Sequence, residues 1–273
     1  MSRKYSLAHL TVLQVPPPEM IYIASMAGYD YVSLRTIYMG LPGEPNYELA
    51  KNKTMLQQTK RALTETGLSL LDIELARVFD GMDSKAYEPA MAVAAELGGR
   101  HVLSSIWTEN REYYLEKFAE ICDLAKDYGL TVDLEFVPIA GIRDLKGTIN
   151  VLRTVNRDNA GLLIDTHHFQ RSGDNPEDLK ELPRSWFNFA HLCDAPGEIP
   201  DNREEMTRIL REARDYVGEG DIDIAGIVQA MPRNLNFSIE LPNLEKVREI
   251  GYAEHARRCL VSAKAYMDHY LPL

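Results

Sequence analysis

Residues 130–137, Leu130-Thr131-Val132-Asp133-Leu134-Glu135-Phe136-Val137, form a β-branched and apolar run that carries two carboxylates two positions apart. An amphipathic segment, 109–127, precedes the run and Gly129 ends it; a fourth-strand candidate, 101–106, lies on its far side. Strand, helix and strand in that order are the sequence sign of parallel βαβ construction. The same grammar recurs in both directions. Upstream lie runs at 6–12, 29–34 and 69–75, and downstream at 161–165, 186–193 and 237–241, eight in all. Pro16-Pro17-Pro18 opens the first helix and Gly28 closes it. A second helix over 47–66 stops at Gly67, and 244–270 reads as a closing helix. Eight strands alternating with helices in 273 residues is the size of one closed (β/α)8 TIM barrel, expected to occupy 1–273 as a single domain. A doubly wound open sheet is the rival, but no GxGxxG follows the first strand and no GxxxxGK[ST] occurs. The longer loops at 41–45 and 195–202 are expected on the barrel's working face.

Composition narrows the partners. Forty-one acidic residues against 30 Lys and Arg give a formal charge of −11, which repels phosphate backbones and anionic membranes. The apolar early stretch 7–15 is interrupted by His9, Thr11 and Gln14, too short and polar for a signal or a span. A cytoplasmic protein is expected, with no nucleic-acid or membrane partner. Cys122, Cys193 and Cys259 are odd in number and far apart, as reduced thiols would be. Barrels of this size often pair, so a homo-oligomer is compatible with the sequence.

In such a barrel the working groups sit at the C-terminal ends of the strands. Four consecutive strands end in groups of metal-ligand type: Glu135, Asp165 in Asp165-Thr166-His167-His168, His191 in His191-Leu192-Cys193-Asp194, and Glu240 in Ile239-Glu240-Leu241. Any one alone reads as a solvated strand end or a hydrogen-bonded core histidine. Together, buried in apolar runs, they need a shared partner, because an isolated buried charge is costly. One divalent cation is the simplest. Three carboxylates and an imidazole suit Mn²⁺ first, then Mg²⁺ or Co²⁺, and admit Zn²⁺. Asp133 shares a face with Glu135 and has either a supporting role at the metal or a structural one lower in the barrel.

These motifs, together with Leu134-Glu135 and Gly218-Glu219-Gly220-Asp221-Ile222-Asp223, resemble the xylose-isomerase-like TIM-barrel superfamily of sugar isomerases and epimerases, over nearly the whole chain. The resemblance implies that Glu135, Asp165, His191 and Glu240 hold one divalent metal and that His168 binds substrate hydroxyls. It further implies that Glu135 and Glu240 are an acid/base pair on opposite faces of a small ketose or related polyol ketone, acting beside its metal-bound carbonyl. The chain departs from the family where many members carry a Glu near the end of strand two (here Ser33, then Arg35) and where epimerases carry an Arg six residues after the metal histidine (here Gly197). Arg35, Glu74, Arg77 and Trp107, at or just past strand ends, are candidates for the pocket wall: Trp107 to stack on a sugar's apolar face, the arginines to grip a carboxylate or phosphate. His9 has a weaker claim, and His101 begins its strand, at the wrong end. Gly218-Glu219-Gly220 reads as a turn, not a phosphate cradle. Arg203, Arg208, Arg211 and Arg214, interleaved with glutamates, read as a solvated helix face.

The leading expectation is thus a metal-dependent sugar isomerase or epimerase. A lyase of the dehydroshikimate or inosose dehydratase type is the alternative, since the same groups would eliminate water from a substrate with a β-hydroxyl. An apurinic endonuclease is disfavoured by the missing extra histidines and by the acidic charge.

Overall fold

A computed structural model describes residues 3–272. Its eight strands are β1 (Tyr5–Ala8), β2 (Tyr31–Arg35), β3 (Ser69–Val78), β4 (His101–Ile106), β5 (Thr131–Glu135), β6 (Ala160–Asp165), β7 (Phe189–Leu192) and β8 (Asn236–Ile239). They are parallel and hydrogen-bonded in chain order, and β1 pairs with β8 (Ser6 opposite Ser238), so the sheet closes on itself as a (β/α)8 TIM barrel. The helices between them are α1 (Pro17–Ala27), α2 (Lys53–Thr66), α3 (Glu88–Glu96), α4 (Arg111–Asp127), α5 (Leu145–Val155), α6 (Thr166–Ser172), α7 (Arg203–Glu212) and α8 (Ile224–Ala230), with α9 (Leu244–Tyr270) closing the ring. Among the described residues no helix is long and apolar enough to cross a membrane.

Local chemistry moves several boundaries from those expected. The first strand stops at Ala8, and His9–Val12 becomes a 3-10 turn. There the His9 ring bonds the Val15 carbonyl and accepts the Arg35 backbone N–H, which draws the chain out of the sheet. The second helix begins at Lys53 instead of residue 47, because Asn52 caps it by accepting the Met55 N–H. Trp186 lies in a short 3-10 turn after Pro183, so β7 starts at Phe189. Gly28 and Gly67 end α1 and α2 in the left-handed region that favours glycine, as expected. The closing helix is broken at Gly251, whose backbone is non-helical.

Two apolar layers hold this frame. The larger lies between the sheet and the helix ring, where Met20 and Ile21 of α1, Phe118 and Ile121 of α4 and Leu260 of α9 are buried. The smaller fills the barrel interior with Leu71, Leu103, Leu163 and Phe189. Each such side chain contributes roughly 1.5–3 kcal/mol on burial. Four together help offset the cost of the polar groups stacked above them, where β5 to β8 deliver their last residues.

A candidate metal centre at the barrel mouth

Glu135, Asp165, His191 and Glu240 each offer one ligand atom, and these atoms all lie within 4.8 Å of one another. Each residue is the last of its strand, or one or two positions from that end, so the barrel's closure brings them to one place. All four are at most 5% exposed. His191 Nδ1 faces Glu135 Oε1 at 3.4 Å and both Asp165 Oδ2 and Glu240 Oε2 at 3.7 Å. Glu135 Oε1 and both His191 ring nitrogens are buried without a hydrogen-bond partner. Converging ligand-type atoms that do not satisfy one another are what a cation-binding site requires.

Arg214 supplies a second test of that fit. It is fully buried, and its Nη1 donates to Asp165 Oδ2 at 2.7 Å and to the Glu240 carbonyl at 3.0 Å, while Nη2 lies 3.0 Å from Glu240 Oε2. Three carboxylates against one guanidinium leave two negative charges uncompensated, which one divalent ion cancels with His191 neutral. This overturns the expectation of a solvated face at Arg214. Arg203, Arg208 and Arg211 are exposed on α7, but the helix ends at Glu212 and the chain then turns inward, where Asn243 Nδ2 holds the Arg214 carbonyl.

Without a cation the charges adjust. Burial pushes the Asp165 carboxyl up, but Arg214, His168 and His191 outweigh it and hold Asp165 well below the usual range. Burial disfavours a charged His191, yet Glu240, Asp165 and Glu135 around it push its pKa well above the ordinary value. Glu135 is raised to about 7, first by burial and then by Glu240, against the pull of His191.

Of the remaining candidates, His168, Trp107, Arg35, Glu74 and Arg77 all line one cavity of about 280 Å³ that also reaches Glu135 and Glu240. His168 is held neutral, its pKa pushed down to about 4 chiefly by burial. Its position is fixed because Asp165 Oδ1 caps α6 by accepting the His167 and His168 backbone N–H groups. That cap also accounts for the proximity of Asp165, His167 and His168 as a second carboxylate and imidazole group. Trp107 Nε1 donates to Ser105 Oγ at 2.8 Å, which fixes its ring beside the cavity. Arg35 meets Glu74 at 3.4 Å. The loop over 41–45 contributes Leu41, Pro42, Gly43 and Glu44 to the rim, whereas none of 195–202 lines the cavity.

Other groups are placed elsewhere. Asp133 takes the structural option: Thr131 Oγ1 and Asn188 Nδ2 donate to it at 2.7 Å each, and His101 lies 3.7 Å away, low in the barrel. His9 serves the turn described above. The Gly218-Glu219-Gly220 turn wraps Asp194, which accepts the Gly218, Ile222 and Ala195 backbone N–H groups; a Cβ on Gly220 would fall 2.4 Å from Asp194 Oδ1 and the Ala195 carbonyl. Two residues escaped sequence reasoning. Arg214 was masked by the charge alternation before it, although Tyr216-Val217 just beyond marks a return to the core. Asp72 sits buried in β3 with neither carboxylate oxygen hydrogen-bonded, and burial raises it to about 8; its signal is a lone carboxylate inside Leu70-Leu71-Asp72-Ile73.

The family model described as xylose isomerase-like TIM barrel matches residues 21–262, and the chain belongs to that family. Among curated relatives, a protein named inosose isomerase from Bacillus velezensis is 25% identical over 254 residues, covering 87% of this chain and 85% of its own. The protein of the same name from Bacillus subtilis is 28% identical over 158 residues, 57% of this chain and 54% of its own. Among solved structures, an IolI protein described with a bound zinc atom superposes with a TM-score of 0.80 at 21% identity, covering 99% of this chain and 100% of that one. A probable 3-DHS dehydratase, AsbF from Bacillus anthracis, gives 0.71 at 17% identity, covering 92% and 97%.

Proposed function

We propose that the protein is a divalent-metal-dependent isomerase or epimerase of a small ketose or related polyol ketone, working by proton transfer at the carbon beside the carbonyl. The observation that carries this is the convergence of Glu135, Asp165, His191 and Glu240, partly unsatisfied, beside a cavity that Glu135 and Glu240 line. Family membership and relatives named inosose isomerase support a cyclic polyol ketone as the substrate type.

In this scheme Glu135, Asp165, His191 and Glu240 hold the ion, with manganese the first choice and zinc, cobalt or magnesium admitted by the same donors. Bound there, a divalent cation supplies Lewis-acid polarisation of the carbonyl and neutralises charge that develops on its oxygen. One of Glu135 and Glu240 takes the proton from carbon as the electron pair moves toward the carbonyl oxygen, and the other returns a proton, to the neighbouring carbon or to the opposite face. Arg214 keeps Asp165 and Glu240 aimed during both transfers. Neutral His168 exchanges a hydrogen bond with a substrate hydroxyl, Trp107 offers its ring to the apolar face of a cyclic substrate, and Arg35, steadied by Glu74, contacts a substrate oxygen. A small-molecule substrate in a cytoplasmic enzyme, without nucleic acid or membrane, completes the proposal, which is compatible with a homo-oligomer.

The alternative lyase outcome needs only a β-hydroxyl on the same substrate. Proton NMR of a panel of ketoses, inososes and 3-dehydroshikimate with the manganese-loaded protein separates the two. An isomer or epimer of one ketone supports the proposal, and a conjugated enone from a β-hydroxy ketone supports the lyase. Turnover of none of them contradicts both.

A further inference from the structure

The barrel interior one step below the mouth is polar on one side only. Ser33, Asp72 and Ser238 each stand two positions before a mouth residue, Arg35, Glu74 and Glu240, and so face the same way one step lower. Ser6 of β1 joins them, and all four are at most 1% exposed. The opposite side of this level is apolar, with Leu103, Leu163 and Phe189. Ser33 Oγ lies 2.8 Å from Ser6 Oγ and 3.1 Å from Ser238 Oγ, so the three hydroxyls form one hydrogen-bonded chain. Ser238 at one end is the register partner of His191 on β7. At the other end, β2 and β3 pair Val32 with Leu70 and then Leu34 with Ile73, which sets Ser33 against both Leu71 and Asp72. This β-bulge breaks the alternation of β3: Leu70 and Ile73 pack outside the barrel, Leu71 packs inside, and Asp72 is turned toward Ser33 and His191.

His191 and Asp72 have matching deficits. Nδ1 of His191 faces Glu135, Asp165 and Glu240, so Nε2 is left for a second partner, and it is buried with none. Both Asp72 oxygens are buried with no partner either. The other nearby carboxylates are taken, Asp133 by Thr131 and Asn188 and Glu74 by Arg35. Burial raises the Asp72 carboxyl to about 8, and His191 is the group that most opposes the rise. A histidine that ligates a metal through one nitrogen is oriented by the group its other N–H meets. Resting on the metal-site reading above, we propose that Asp72 is the positioning residue for His191: with the ion bound, a hydrogen-bonded path runs from His191 Nε2–H through Ser238 and Ser33 to the Asp72 carboxyl group and keeps Nδ1 aimed at the metal. With Nδ1 on the ion, Nε2–H only donates, and the carboxyl end accepts, so the hydroxyls between them all point one way. Because His191 and Asp72 are not in hydrogen-bond contact, water completes the ends of the path.

Manganese titration against a metal-responsive competitor dye, run beside urea unfolding of the metal-free protein at pH 8, tests this without turnover. Asp72→Leu has the branching of aspartate without an acceptor and should weaken manganese binding about 10–100-fold, the scale of a group that orients a ligand. Its metal-free form should be at least as stable as the wild type's, because an unpaired buried carboxyl has been removed. Asp72→Asn keeps one acceptor oxygen and should lose less affinity than Asp72→Leu. Ser33→Ala cuts the path with little change of volume and should also weaken binding, and in the double variant the two losses should be less than additive. Unchanged affinity in Asp72→Leu or in Ser33→Ala, or a loss of affinity matched by an equal loss of metal-free stability, overturns the assignment. The metal-site reading fails by a different sign: a wild type that binds no manganese removes that reading and this assignment together.

Discussion

Arg214 and Asp165 meet at 2.7 Å with both side chains excluded from solvent, and the same guanidinium reaches Glu240 at 3.0 Å. One buried arginine thus orients two of the four candidate ligands from a loop beyond α7. Removing one partner of a buried pair strands the other's charge, which costs about 3–5 kcal/mol. Arg214→Met should lower the urea stability of the metal-free protein by that order. Because the variant keeps three carboxylates and loses the guanidinium that faces two of them, manganese should raise its stability more than it raises the wild type's. An equal rise in both would separate Arg214 from the metal site.

The ion is expected at about one equivalent per chain, and His191→Ala should weaken manganese binding by more than the roughly 10–100-fold typical of losing a supporting residue. Binding must also displace protons. Glu135 is raised to about 7 in the metal-free protein and His191 is pushed well above its ordinary value, so Glu135 takes up a proton as pH falls through about 7 while His191 already holds one, and the ion must displace both. Apparent affinity should therefore drop with falling pH, and calorimetry in buffers of different ionisation enthalpy should find net proton release. PH-independent affinity between pH 6 and 8 is the contrary result.

His168 lines the cavity but lies outside the four-ligand cluster. His168→Ala should keep its metal, measured by elemental analysis, and lose at least about tenfold in kcat/KM, the scale of one hydrogen bond to the reacting substrate. Wild-type kcat/KM in this variant would remove His168 from the substrate site.

Asp72 is buried, raised to about 8 and without a hydrogen-bond partner. Its folded pKa exceeds its unfolded value near 4, so the folded state holds a proton that the unfolded state releases, and the cost to stability grows as pH rises from about 4 to about 8. Asp72→Asn, which cannot ionise, should stabilise the metal-free protein by roughly 2–5 kcal/mol above pH 8 and by little at pH 4. A variant no more stable than wild type at pH 8 would show that Asp72 stays hydrated or paired in solution.

The barrel was legible because its signals are local and repeated: an apolar run, a helix, a glycine stop. The four candidate ligands were legible for a related reason, since strand-end position is set by that same repeat. Arg214 was not. A charged residue after Arg203, Arg208 and Arg211 continues a helical alternation in sequence, and only the inward turn at Ala213, which pairs with Asn243, carries it to Asp165 and Glu240. The ends of β1 and α2 were misplaced because a side chain, His9 in one case and Asn52 in the other, bonds the backbone and overrides the apolar pattern. The role of Asp133 rests on Asn188 and His101, both distant in sequence, as well as on Thr131 of its own strand.

Proton transfer between the substrate's carbon and the Glu135 and Glu240 carboxylates is read by solvent exchange. The ketone turned over in the panel is incubated in D₂O with manganese-loaded protein and followed by proton NMR. Deuterium should enter at the carbon beside the carbonyl, cease when the metal is chelated and return when manganese is restored. Glu135→Gln and Glu240→Gln, each first shown to retain the ion, should both lose turnover, with residual exchange only in the variant that keeps the abstracting carboxylate. Exchange that continues in the chelated protein, or wild-type turnover in either metal-retaining variant, would contradict the account.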